Sequence, residues 1–272
     1  MLGLVPRIGS DAFVYKEPVG ITVSFSDAER VLERDAEANL QFYLPIALVP
    51  RLMFGVVTSL VLVSLVAAWL GRFAGVPFLA PDSVVDRLFN VDRELNVPTW
   101  FQGSTLLLCS AVLLVIAYSH WRDNRSPYWR WWGALGVGFA GLSFDELAGV
   151  HERLIAPMRD LLDDPGGLLY FPWVLPGIVI VVVLGAAFIP FLLSLPTWAR
   201  NGFLVSAALF IGGALVMEMI DGAIISAHGS YSRLYVIGVH VEELLEMLGA
   251  VMFLTTLLEY ITRLDGNLRL VR

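Results

Sequence analysis

RWWGALGVGFAGLSFDELAGVHE, residues 130–152, decides how this chain is to be read. Its first part is aromatic and glycine-rich and its middle is apolar. It ends on Asp145, Glu146, His151 and Glu152. A stretch of about 20 apolar residues is long enough to cross a bilayer, so four polar groups gather where such a helix should leave the membrane.

The rest of the chain supports a membrane reading. Of its 272 residues, 57% are hydrophobic and 16% charged, and the mean hydropathy is +0.72. A soluble domain would carry about a quarter charged residues. The apolar positions fall into six blocks, at 46–70, 99–120, 130–152, 173–195, 202–225 and 235–260. The expected fold class is all-α, a polytopic bundle of six transmembrane helices. Residues 1–44 form a polar N-terminal segment, 45–262 the membrane domain and 263–272 a short basic tail. Ser26 and Glu29 have capping-box spacing and predict an amphipathic or solvated helix over 28–40. No cleavable leader pattern stands out, so the first span is expected to act as an uncleaved anchor.

Some chemistries are excluded early. The single cysteine, Cys109, allows no disulfide framework and no cysteine-rich metal site. Lys16 is the only lysine, which leaves the core without a Schiff-base residue. A net charge of −7 with no basic patch gives no sign of nucleic acid. Basic residues set the orientation. Arg122, Arg125, Arg130, Arg200, Arg263, Arg269 and Arg272 fall on the N-terminal side of the alternating topology, and fewer fall on the other. Both termini are therefore expected in the cytoplasm, with a bacterial inner membrane as the location.

This topology sends the unusual residues to the outer half. Asp145, Glu146, His151 and Glu152 end the third span. Glu218 and Asp221 lie toward the outer end of the fifth. His240, Glu242, Glu243 and Glu246 begin the sixth. At 100° per residue, His240, Glu243 and Glu246 share a face, and Asp145 and Glu152 nearly eclipse while Glu146 points elsewhere. Asp145, Glu218 and Glu246 form a deeper layer, about 10–15 Å below the surface at 1.5 Å per residue.

A charge at mid-membrane costs about 2.5–3.5 kcal/mol on insertion scales. No Arg or Lys shares these stretches, so bound protons or divalent cations are the remaining neutralisers. Two histidines among carboxylates suit zinc, iron or manganese. The metal candidates are His151, His240, Glu243, Asp145, Glu218 and Asp221. Glu246 is a further ligand or, like Asp145, a general base. Asp145 and His151 can act together only if the helix loosens, for which Gly149 is the natural place. Glu152, Glu242, His120 and His228 read equally as solvated or interfacial groups. Gly133, Gly136, Gly138 and Gly141 suggest close helix packing. Asp92, Arg93 and Glu94 read as an ion-pair set in the outer loop 71–98.

Three stretches, FNVDRELNVPTWF at 89–101, SFDELAGVHE at 143–152 and HVEELLEMLGA at 240–250, together resemble uncharacterised bacterial polytopic membrane proteins. That resemblance implies one membrane domain and supplies no activity. Ser143, Asp145 and His151 also resemble, in type, the Ser, Asp and His residues around zinc in alkaline ceramidases and adiponectin receptors. This chain departs from that pattern in having His240-Val-Glu-Glu where the superfamily has an HxxxH pair, and six spans instead of seven.

Three functions stay open on this reading. One is a metal-dependent hydrolase acting on a lipid-like substrate, with a di-iron or di-manganese oxidoreductase as a variant. A second is a proton- or ion-coupled transporter. The third is an accessory membrane subunit with protonated carboxyls. Membrane lipids are the expected surroundings, and the sequence does not set the oligomeric state.

Overall fold

A computed structural model describes residues 48–122 and 127–265. The N-terminal segment, with its expected helix, and the end of the basic tail lie outside these residues. Among the described residues the chain is helical, without strands. Its α-helices are α1 (Leu48–Phe73), α2 (Val84–Phe89), α3 (Val97–Arg122), α4 (Trp129–Ala148), α5 (Val150–Leu161), α6 (Val174–Ser194), α7 (Thr197–Ile211), α8 (Glu218–His228) and α9 (Arg233–Asp265).

Five helical segments are long and apolar enough to cross a membrane: α1, α3, α6, the continuous α7–α8 unit and α9. This makes the chain an integral membrane protein by composition and length. The sixth expected span differs. α4 has 20 residues and stops at Ala148. Gly149 then takes a left-handed conformation, φ 56° and ψ 46°, and its N–H closes the helix on the Asp145 carbonyl. Glycine adopts that conformation at little steric cost. His151 and Glu152 therefore belong to a separate amphipathic helix, α5.

The bundle has two unlike ends. Where α1 starts and α9 finishes, the core is aromatic. Trp132 is 1% exposed, and its ring centroid lies 4.9 Å from Phe191 and 4.8 Å from Tyr260. Phe203, Phe253, Leu257 and Cys109 complete this layer. His120, expected at an interface, is buried here and stacks on Trp132 at 6.2 Å. At the opposite end α1 finishes beside the start of α9, with Arg233 over the rings of Trp69 and Phe73. α4 runs from the aromatic end, at Trp132, to the polar end, where Glu146 meets Gln102 of α3. Ser110 and Ser143 stitch the two helices together by donating to the carbonyls of Gly136 and Gly103, each at 2.7 Å. The expected glycine face is thus partly used. Gly136 lies against Leu114, while Gly138 and Gly141 meet nothing within 4 Å.

A tighter glycine seam joins α7 and α8 to α9. A Cβ on Gly249 would sit 2.7 Å from the Phe210 nitrogen, and one on Gly213 would sit 2.7 Å from the Glu242 carbonyl oxygen. Without side chains these positions let the backbones approach closely. Gly213 belongs to a π-helical turn, Gly212–Met217, that delivers the chain to Glu218.

The loop after α1 does not stay outside the bundle. It turns back along α1, so that Val91 joins Val57, Val61, Met247 and Val251 in a buried cluster. The Val91 N–H donates to Ser64 Oγ at 3.0 Å. Ser64 lies nine residues before the end of α1, about 13 Å along the helix at 1.5 Å per residue. Irregular backbone at such depth must have its polar groups satisfied inside the protein. Ser83 caps α2 by accepting the Asp86 N–H at 3.2 Å. Asn90 donates to Asp86 at 3.0 Å, Asn96 donates to the Asn90 carbonyl at 2.6 Å, and Asn96 Oδ1 caps α3 at the Thr99 N–H at 3.1 Å.

Candidate functional site

The turn at Gly149 explains how Asp145 and His151, six residues apart, come together. Asp145 Oδ1 accepts the His151 backbone N–H at 2.9 Å, and Oδ2 lies 2.9 Å from His151 Nδ1. The loosening expected at Gly149 is present, and it makes a hydrogen-bonded pair. The His151 ring lies 4.7 Å from Trp173, whose Nε1–H donates to Glu218 at 2.9 Å. Burial lowers the His151 pKa, but the hydrogen bond and charge of Asp145, with Glu218 and Glu94, outweigh it and raise it to about 9. These partners favour the imidazolium form of His151.

The returning loop supplies the next acid. Glu94 is pushed up to about 7, first by burial and then by the charges of Glu152 and Asp145, against His151 and Thr99. Its Oε2 has no hydrogen-bond partner among the described residues. Asp92, in the same loop, accepts the Tyr235 O–H at 2.7 Å and lies 3.7 Å from Arg72. Burial raises its pKa, opposed by Tyr235, Arg72 and Arg93. Arg93 pairs with Asp82 at 2.7 Å and Asp86 at 3.0 Å. The loop thus carries ion pairs, but with other partners than expected: Asp92 meets Arg72 of α1 and Arg93 meets Asp82 and Asp86, rather than Asp92, Arg93 and Glu94 pairing among themselves.

Deeper in the bundle, Gln102 Nε2 donates to Glu246 at 2.9 Å and lies 3.5 Å from Glu146. Glu146, which the helical arc turned away from the other acids, faces this interior. Glu243 is within electrostatic reach of Glu246, Glu146 and Glu94. On the next side Glu242 lies within hydrogen-bonding reach of both Glu218 and Asp221. Glu242 is 7% exposed and Asp221 1%, so Glu242 is not a solvated helix-end charge, whereas Glu152 is exposed. Asp221 packs against Gly238, where a Cβ would fall 1.8 Å from Oδ1. Neither Asp221 oxygen meets an N–H or hydroxyl donor among the described residues. Its neighbours are other carboxyls. No Arg or Lys among the described residues pairs with Glu146, Glu218, Asp221, Glu242, Glu243 or Glu246.

His240 stands apart from this group. Its Nδ1 lies 2.6 Å from the Val236 carbonyl and its Nε2 2.9 Å from Ser64 Oγ. The network assigns the proton to Nδ1, so Nε2 accepts from the Ser64 hydroxyl. His228, at the end of α8, is exposed. Of the metal candidates, the structure brings His151 to Asp145 and draws Glu218, Asp221 and Glu243 into the carboxylate group. His240 binds the returning loop through Ser64. Among the described residues no three His, Cys, Asp or Glu side chains converge as a metal-holding group, so the side chains as they stand do not form a ready ligand set.

Gln102, Ser64 and Tyr235 escaped the sequence reading. A glutamine one turn into an apolar helix was the usable signal. Ser64 carried none, because serines bonded to their own helix are common in apolar segments.

The chain belongs to the family described as Domain of unknown function (DUF8692), whose family model matches residues 55–260. That range holds the returning loop, α5 and every acid of the cluster. No curated protein matches the chain. No solved structure matches it.

Proposed function

We propose that this is a proton-binding integral membrane protein whose buried carboxyl cluster serves chemistry or sensing at one membrane face. One observation carries the reading: Glu242 lies within hydrogen-bonding reach of Glu218 and Asp221, with no basic residue beside them among the described residues. Two carboxylates in contact repel, and a shared proton turns that repulsion into a hydrogen bond. The aromatic layer around Trp132 closes the other end of the bundle. Passage across the membrane needs polar or broken-helix features in both halves, so the transporter reading ranks below a one-sided site. His151, half-buried beside Asp145 and Glu94, is the proton-exchanging group at the mouth.

In this proposal α4 is the sixth membrane crossing, since it returns the chain from the aromatic end to the polar end before α6 begins. Both termini are then cytoplasmic, and the polar end faces outward from a bacterial inner membrane.

A metal-dependent hydrolase of lipid-like substrates is the second reading. It is favoured by how His151 is held. Asp145 fixes His151 through Nδ1, as in imidazoles that present Nε2 to a metal. His151, Asp145, Glu94 and Glu218 would hold zinc, iron or manganese after rearrangement, and the metal would supply Lewis-acid activation of water.

Elemental analysis of protein purified without chelator, combined with a proton-uptake titration, separates the two. Proton uptake that falls in Glu242→Gln, without stoichiometric metal, supports the first reading. A near-stoichiometric metal lost in His151→Ala overturns it in favour of the second.

A further inference from the structure

α5 buries none of its residues fully, and its side chains sort into three faces. At about 100° per residue, Val150, Leu154, Pro157 and Leu161 fall within an arc of about 60°. All four are exposed, with Leu154 at 42% and Leu161 at 80%. His151, Ile155, Met158 and Arg159 lie on the side turned to the protein and are half-buried. Arg159 anchors that side by donating to the Tyr170 carbonyl at 2.9 Å and by its ion pair with Asp164. Glu152, Arg153, Ala156 and Asp160 make the third, exposed face. A water-exposed surface helix needs only two of these faces. The third, an apolar stripe, asks for an apolar partner.

What covers it is indicated by what adjoins it. Along the chain the stripe follows directly on exposed apolar residues of α4, Phe144 at 67% and Leu147 at 40%, on the other side of the Gly149 turn. α4 itself lies in a bundle whose outward faces carry large apolar side chains throughout, as on α6 at Val179, Val182 and Val183. By length and composition, the five apolar segments give that surface the character of a lipid-facing belt.

We infer that α5 lies in the interfacial layer of the bilayer, with Val150, Leu154, Pro157 and Leu161 inserted among lipid chains and Arg153 and Asp160 at the headgroups. An amphipathic helix of this kind lies in the plane of the interface with its apolar face at the headgroup–acyl boundary. Because His151 sits in the first turn of α5, this placement sets the Asp145–His151 pair at headgroup depth. The mouth of the carboxyl cluster then opens sideways to amphipathic molecules in the membrane as well as to water. The inference goes beyond the proton-binding reading and stands without it.

Site-directed spin labelling in lipid nanodiscs tests it. Single cysteines are introduced at Leu154, Leu161, Arg153 and Asp160, with the buried native Cys109 as the unreactive control. Each labelled protein must keep the wild-type thermal transition. The expected result is a several-fold higher ratio of oxygen to water-soluble nickel-complex collisions at Leu154 and Leu161 than at Arg153 and Asp160. Equal nickel access on both faces would place α5 in water and overturn the inference. Protection of Leu154 and Leu161 from both reagents would replace the lipid by a protein partner, a second copy of the chain included, and would equally overturn it.

Discussion

Replacing Gly249 with alanine tests the seam that carries the acid cluster. The added Cβ would meet the Phe210 nitrogen at 2.7 Å, Phe210 Cβ at 2.9 Å and the Ser206 carbonyl oxygen at 2.9 Å. Two of these atoms are backbone, so no side-chain rotation relieves the contact and α7 must move away from α9. In a helix interior alanine is intrinsically favoured over glycine by about 1 kcal/mol. Overpacking opposes this by about 1–3 kcal/mol. Gly141 supplies the control, since a Cβ there meets nothing within 4 Å. Both substitutions share the propensity gain, so the difference between them isolates the clash, about 1–3 kcal/mol. Thermal unfolding of both variants in one detergent, at one scan rate, reads that difference. Gly249→Ala should melt below wild type or near it, and Gly141→Ala at or above it. Gly249→Ala as stable as Gly141→Ala would refute the close approach of α7 and α9.

Further outcomes follow from the same geometry. Glu94 has a raised folded pKa, about 7 against an ordinary 4.5, so its stability contribution is full below about 4.5 and is lost as pH rises through about 7. Glu94→Gln should flatten stability over that window, as read by melting temperature against pH; an unchanged profile would count against the buried placement of Glu94. His151, raised to about 9 from 6.5, contributes stability that is full below about 6.5 and is lost as pH rises through about 9. Asp145→Asn should remove that alkaline loss. Trp132→Ala at the aromatic end should destabilise by about 3–5 kcal/mol while leaving proton uptake by the folded fraction unchanged; loss of uptake would show that the two ends are coupled.

The sequence revealed the membrane architecture because its signal is repeated. Each of the five apolar segments is long, and none needs a distant partner to be recognised. The gathering of Glu218, Glu243 and Glu246 at one end was equally legible, since helical periodicity and alternating direction bring such residues together, whereas Glu242 read as a group that could be solvated. Other features depend on contacts far apart in sequence. The return of Val91 to Ser64 has no periodic signature, because a chain held by Asn90, Asn96 and Asp86 side chains reads as a polar loop. Helical spacing turned Glu146 away from Asp145, and in the structure Glu146 faces Gln102 while Asp145 bonds His151 across the Gly149 turn. The glycine seam was sought on α4 and lies mainly between α7 and α9, because a glycine's partner surface is set by the neighbouring helix. The π turn at Gly212–Met217, whose Gly213 packs against the Glu242 carbonyl, is likewise not announced by local sequence.

Infrared spectroscopy of the carboxyl C=O stretch tests the central claim most directly. Wild-type protein and Glu242→Gln are compared in nanodiscs at neutral pH, before and after exchange into heavy water. A protonated-carboxyl band in the wild type, shifted by deuterium and diminished in Glu242→Gln, is the predicted result. A spectrum showing only ionised carboxylates, unchanged by the substitution, would contradict the account.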